Sequence, residues 1–149
     1  MSTDRIEKRV VLRAPRSRVW RAIADSREFG TWFGIAWEGP FEPGATVRGR
    51  ITIPKYEHLF GEVTVERIEP ERLLTFRWHP NAHDPKEDYS KEPTTLVEFH
   101  LKETPEGTEL TVIESGFDQL PLSRRGEAFR SNEGGWAQQI ANISRHVSP

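Results

Sequence analysis

The sequence predicts an α+β domain in which an antiparallel sheet has its inner face covered by a long C-terminal helix. Three observations carry this reading. A strand-like alternation opens the chain, two short helical segments follow it, and a long series of alternating β segments then leads to a final apolar stripe at helical spacing.

Ile6, Lys8, Val10 and Leu12 alternate with Arg5, Glu7, Arg9 and Val11, the period of a strand with one imperfect face. Pro15 suits the first turn of a helix, because its φ is preset and its missing N–H would be unpaired there anyway; Val19, Trp20, Ala22 and Ile23 form that helix's buried side. Asp25 and Ser26 can cap a second short helix through Thr31, stopped by Gly30 or Gly34 around Trp32 and Phe33. Strands follow. Val47, Gly49, Ile51 and Ile53 alternate against Arg48, Arg50 and Thr52, and Val63 with Val65 continues the pattern. Leu74, Phe76 and Trp78, then Val97, Phe99 and Leu101, give two more, and the turn Thr104-Pro105-Glu106-Gly107 returns the chain to Leu110 and Val112. On a pleated sheet these named apolar residues face inward together and their neighbours face out. The polar, proline-bearing segment from Pro80 to Pro93 reads as a mobile loop.

The cover for the sheet is the C-terminal segment. Leu122, Gly126, Phe129, Glu133, Trp136, Ile140, Ile143 and Val147 follow one another in steps of four and three, one stripe of a helix. The stripe passes through Gly134 and Gly135 without a change of phase, which predicts one continuous helix rather than a second one capped by Ser131. Each glycine costs a helix interior about 1 kcal/mol relative to alanine, so the pair calls for a compensating use. Close approach to the first helices is one; a local bend that admits a ligand is the other.

Composition bounds the function. At 149 residues the chain reads as one domain, 1–149, large enough to bury a core. A net charge of -2 and a pI near 6.2 give no electrostatic footprint for nucleic acid. Mean hydropathy is -0.67 and apolar runs are short, so neither a signal peptide nor membrane insertion is expected. Cysteine is absent, which removes disulfides, thiolate metal sites and thiol nucleophiles and fits a cytoplasmic setting. Eight Phe and five Trp supply large apolar surfaces suited to a core or to a pocket.

These residues also carry a resemblance. Pro15, Val19-Trp20 and Ala22-Ile23, then Trp32-Phe33-Gly34, then Glu114-Ser115-Gly116-Phe117, then Asn132-Glu133-Gly134-Gly135-Trp136 with Ile140 and Ile143 resemble the START-like (SRPBCC) superfamily. Within it the chain is similar to single-domain bacterial relatives of the C-terminal domain of the activator of heat-shock protein 90 ATPase. The resemblance covers essentially the whole chain and implies a helix-grip fold, a curved antiparallel sheet around the last helix with a cavity between them. It implies an apolar small-molecule ligand, and in a few members cyclisation or hydrolysis. The separate N-terminal domain through which the eukaryotic activator engages its chaperone has no counterpart in this sequence, so a chaperone-associated role rests on analogy alone.

Candidate site residues follow. Trp136, Phe129 and Ile140 on the helix, with Phe76, Trp78 and Phe99 on the sheet, can line a cavity or form ordinary core. Trp32, Phe33 and Trp37 form a rim or a minicore where the second helix meets the sheet. Glu133 lies on the inward stripe, where a carboxylate must be solvated, paired or neutralised; it is the candidate ligand handle or acid/base. Glu114 shares the parity of Leu110 and Val112, although solvent exposure at a strand end is the preferred placement. His79, His83 and Asp84 have metal-ligating types without a fixed spacing, and His58 with Glu62 reads as exposed loop, so no metal or cofactor is expected. Neither a nucleophile signature at Ser115 or Ser131 nor a phosphate loop is present. The expected function is binding of an apolar, aromatic or lipid-like molecule, with a cyclase- or hydrolase-type enzyme as the alternative.

Overall fold

The structure, a computed structural model, describes residues 4–80 and 88–148. These form seven antiparallel strands, β1 (Arg5–Leu12), β2 (Ile35–Trp37), β3 (Thr46–Ile51), β4 (Phe60–Glu69), β5 (Leu73–Trp78), β6 (Thr95–Thr104) and β7 (Gly107–Ser115). Between β1 and β2 lie helices α1 (Arg16–Ala24) and α2 (Ser26–Phe33), and α3 (Leu122–Val147) ends the described chain. The sheet runs in the order β1-β7-β6-β5-β4-β3-β2, so all strands after the helices are hairpin neighbours and β1 closes the far edge beside β7. A register shift between Val65 and Arg67 bends β4. The backbone N–H of Arg67 donates there to the hydroxyl of the buried Thr75. The arrangement is the α+β helix-grip fold expected from the sequence.

Local chemistry sets the helix boundaries. Pro15 is the N-cap of α1, just outside the helix rather than within its first turn. Asp25 caps α2, its carboxylate accepting from the backbone N–H groups of Arg27 and Glu28. The helix runs beyond Thr31 to Phe33 and stops at Gly34, whose φ of 93° is the left-handed C-cap conformation that glycine adopts at least cost. Gly30 does not stop the helix: it serves close packing, since a Cβ there would lie 2.1 Å from the carbonyl oxygen of Ile35.

The core sits between the sheet and the helices. Val63, Val65, Leu74, Phe76, Val97, Phe99, Leu110 and Val112 point inward as the alternation requires, around Phe29, whose ring meets Trp32, Phe33, Trp37, Phe41, Phe76 and Phe99. Ile53 departs from the expectation. It lies beyond the end of β3 and is 44% exposed, because the strand has already given way to a turn.

One polar junction ties the three helices together. Glu28 on α2 accepts from Arg18 and Arg21 on α1, at 2.7 Å each, and from His146 on α3 at 2.9 Å. Partial burial pushes the Glu28 carboxyl up, but hydrogen bonds from His146, Arg18 and Arg21 and the Arg18 charge outweigh it and hold the group at about 2.

α3 is continuous through Gly134 and Gly135, with no break at Ser131. A Cβ on either glycine would meet nothing within 4 Å, so the pair faces open space and does not avoid a clash with the first helices. Ala128, Trp136, Ile143 and Val147 are buried, whereas Leu122, Gly126 and Glu133 are exposed. A strict four-three repeat drifts by about 20° per heptad on a straight helix. The stripe therefore holds from Trp136 to Val147 and slips off the buried face toward the N-terminus, where Asn132 takes the inward place expected of Glu133.

Candidate binding site

The polar centre of the domain is Glu114, near the end of β7. The strand's parity carries it inward beside Leu110 and Val112, and its side chain is fully buried, not solvated at a strand end. Oε1 accepts from the indole N–H of Trp136 at 2.8 Å and from Nδ2 of Asn132 at 2.9 Å. Oε2 accepts from the indole of Trp78 at 2.7 Å, the hydroxyl of Thr95 at 2.5 Å and again from Asn132 at 3.1 Å. These donors come from β5, β6 and α3, so one carboxylate pins the last helix to the middle of the sheet. No cation takes part in this set. A buried carboxylate is tolerated here because every lone-pair direction meets a donor.

The indoles of Trp78 and Trp136 approach the carboxylate stacked on each other, with centroids 5.8 Å apart and planes at 27°. Phe33 packs on both of them, and Phe99 meets Trp136 edge-on. Trp136 is thus 3% exposed and belongs to the sealed core.

Beyond this core the grip opens. A cavity of about 790 Å³ lies among β2, the β3–β4 hairpin, the end of β5 and residues 88–90. Its inner wall is Phe33, Ile35, Trp37, Ile51, Trp78 and Asn132, and its outer rim includes the exposed Ile53, Tyr56 and Phe60. Arg48 lies over the Phe60 ring at 4.2 Å, and Glu62, His79, Asp88, Tyr89 and Ser90 add polar groups. Hydrogen bonds from the Ser90 side chain and backbone hold the Asp88 carboxyl below its ordinary range. His79 is fixed by its Nε2, which donates to the carbonyl oxygen of Glu92. Arg124 on α3 braces the same segment: it donates to Glu92 and to the carbonyl of Pro80 and lies over the ring of Tyr89. Gln139 on α3 donates to the carbonyl of Phe33 at 2.9 Å, fastening the opposite wall. The cavity touches the Glu114 centre through Trp78 and Asn132, which belong to both.

The fold is matched by known proteins. Residues 13–148 match the family described as Activator of Hsp90 ATPase homolog 1-like protein. The chain belongs to this family. DynU16, a protein of the dynemicin biosynthetic locus, is 27% identical with a TM-score of 0.74; the match covers 97% of this chain and 47% of that one, so the chain spans about half of DynU16. MLL2253 from Mesorhizobium loti is 21% identical with a TM-score of 0.75 over 96% of both chains. A protein from Arthrobacter aurescens is 18% identical with a TM-score of 0.76, over 97% of this chain and 86% of that one. A search of the curated proteins gave no match. The family's fold commonly binds hydrophobic ligands.

The sequence-predicted site residues separate into distinct groups. Phe33, Trp37 and Trp78 line the cavity. Phe76, Phe99 and Trp136 are core, and Trp32 is too, its indole donating to the carbonyl of Ala22. Ile140 packs against that core, and Phe129 stacks edge-on against Phe117 away from the cavity. The expected cavity along the sheet–helix interface is therefore filled by aromatic packing, and the opening lies at its end. Glu133 is exposed on the outer side of α3, so the handle role expected of it fails for the reason of phase given above. His58 and Glu62 are exposed and not hydrogen-bonded to each other, and His83 and Asp84 lie outside the described residues. Among the described residues no three His, Asp or Glu side chains are grouped to hold a metal ion, and no helix is long and apolar enough to cross a membrane. Thr95 and the hairpin residues Tyr56, Leu59 and Phe60 carry no site signal in the sequence, and Asn132 enters it only as part of the resemblance, without a site role. The step of four from Asn132 to Trp136 is the signal that would have placed Asn132 inward.

Proposed function

We propose that this protein binds a small apolar molecule, aromatic or lipid-like, in the cavity beside Trp78 and Asn132. The observation that carries the reading is the open volume of about 790 Å³ with Phe33, Ile35, Trp37 and Trp78 on its inner wall. That size and the apolar inner wall suit a drug-sized ligand. Residues 1–149 act in this reading as one ligand-binding domain, working in the cytoplasm. Binding is favoured over catalysis. Glu114 is the one buried carboxylate among the described residues, and donors already occupy both of its oxygens. It has no free lone pair with which to take a substrate proton, while Glu133 faces away from the cavity.

Native mass spectrometry of protein purified from its own host, together with a titration of tryptophan emission, tests the reading. A retained apolar molecule, and quenching of Trp37 and Trp78 by an added aromatic ligand, are expected. Ile53→Lys, at the exposed rim, should weaken that ligand several-fold with little effect on stability. No retained molecule and no quenching across a panel of aromatic and acyl compounds would overturn it.

A further inference from the structure

Glu114 lies behind the cavity wall and is joined to it through Trp78 and Asn132. We infer that the site selects ligands that donate a hydrogen bond, such as a phenolic or enolic hydroxyl or an N–H on an apolar body, to the side-chain carbonyl of Asn132, with Glu114 as the positioning residue. The inference rests on the cavity being a small-molecule site, as proposed above.

An asparagine amide offers a donor on one side and an acceptor on the other, and its surroundings decide which way it turns. Here the choice is forced. Both Glu114 oxygens already accept from indole N–H groups, which can only donate, and Thr95 adds a further donor. The only part of Asn132 that such a carboxylate can accept is Nδ2, which reaches both oxygens, at 2.9 Å and 3.1 Å. Oδ1 is therefore turned away from Glu114. Among the described residues no donor reaches it, and it is not one of the sealed orphan atoms, so it is left for the cavity whose wall Asn132 forms.

The other polar groups of the wall compete less well. Arg48, Glu62, Asp88 and Ser90 are exposed and keep their water. His79 is half-buried and spends Nε2 on the Glu92 carbonyl, which leaves its Nδ1 lone pair as the rival acceptor that the Asn132→Ala variant separates. Asn132 is half-buried and adjoins Trp78, so a ligand ring lying on that indole would bring its polar substituent to a fixed acceptor. An ether or a ketone at that point would meet a carbonyl oxygen with nothing to give it, and such a mismatch costs binding.

Calorimetric titration with 2-naphthol and 2-methoxynaphthalene tests this, since the two differ only in whether the oxygen carries a proton. The wild-type protein should bind 2-naphthol about three- to tenfold more tightly, the value of one neutral hydrogen bond. Asn132→Ala should erase the preference, bringing the two affinities within about twofold of each other. Glu114→Gln should also collapse it, because an amide at that position lets Asn132 turn over; a purely structural role for Glu114 would lower both affinities together. Equal wild-type affinities for the two probes, or a preference that survives Asn132→Ala, would overturn this inference and leave the cavity reading standing. Failure of both probes to bind the wild-type protein would overturn the cavity reading and this inference with it.

Discussion

Replacing Glu114 by glutamine changes a single atom's chemistry inside a sealed shell, and its cost can be worked from the partners. The carboxylate takes five hydrogen bonds, from Trp136, Trp78, Thr95 and, twice, Asn132. In Glu114→Gln one oxygen becomes an NH₂. Thr95 can rotate its hydroxyl to accept, and Asn132 can turn over to offer its carbonyl. The indole facing the NH₂ has no such freedom, because Trp78 and Trp136 can only donate. Whichever way the glutamine is placed, one buried indole N–H is orphaned at about 1 to 3 kcal/mol, and the remaining bonds lose their charge assistance. The sum is a loss of about 2 to 4 kcal/mol, or a melting temperature lower by about 5 to 12 °C. Urea unfolding followed by tryptophan emission and by near-ultraviolet circular dichroism measures it, with Thr95→Val as a milder companion. A Glu114→Gln protein within about 0.5 kcal/mol of the parent would refute the reasoning, because it would mean that the shell is not built around a carboxylate.

Other expectations follow from the same structure. Gly134→Ala with Gly135→Ala should stabilise the protein by up to about 2 kcal/mol, since both methyl groups would enter open space; loss of stability in thermal or urea unfolding would contradict the geometry, and slower ligand exchange would mark the pair as a hinge. Glu28 has a folded pKa of about 2 against an ordinary 4.5, so its contribution is present above the unfolded value and lost as pH falls through that interval. With partial exposure taken into account the contribution is about 1 to 2 kcal/mol, and Glu28→Gln should flatten that part of the stability–pH curve; an unchanged acid limb would contradict the helix junction. Chelator treatment should leave the melting temperature unchanged, and a fall restored by zinc would reveal a metal site.

Much of the architecture can be read in the chain because it rests on local periodicity. Alternation gave the inward faces of β3 to β7 with the exception of Ile53, and the Asp25 cap and Gly34 bounded α2 through backbone chemistry confined to a few residues. The same parity put Glu114 on the inner face of β7. What parity could not supply was its surroundings. Trp78, Thr95, Asn132 and Trp136 are separated from it by 18 to 36 residues and converge only when β5, β6 and α3 are docked. Without them a buried glutamate looks like a defect, and the sequence alone points to exposure. The helix shows the complementary failure: a repeat of four and three fits its C-terminal half, and the drift of that repeat put Glu133 where Asn132 belongs. The position of the cavity was likewise decided by packing. Phe76, Phe99 and Trp136 fill the interface between sheet and helix, and the space that remains is where the β3–β4 hairpin stands away from α3. The sequence by itself thus determined which segments are strands and helices and which face of each is apolar. Tertiary structure alone decided whether an inward aromatic became core or cavity wall, and which way the amide of Asn132 points, because both depend on the packing of residues far apart in the chain.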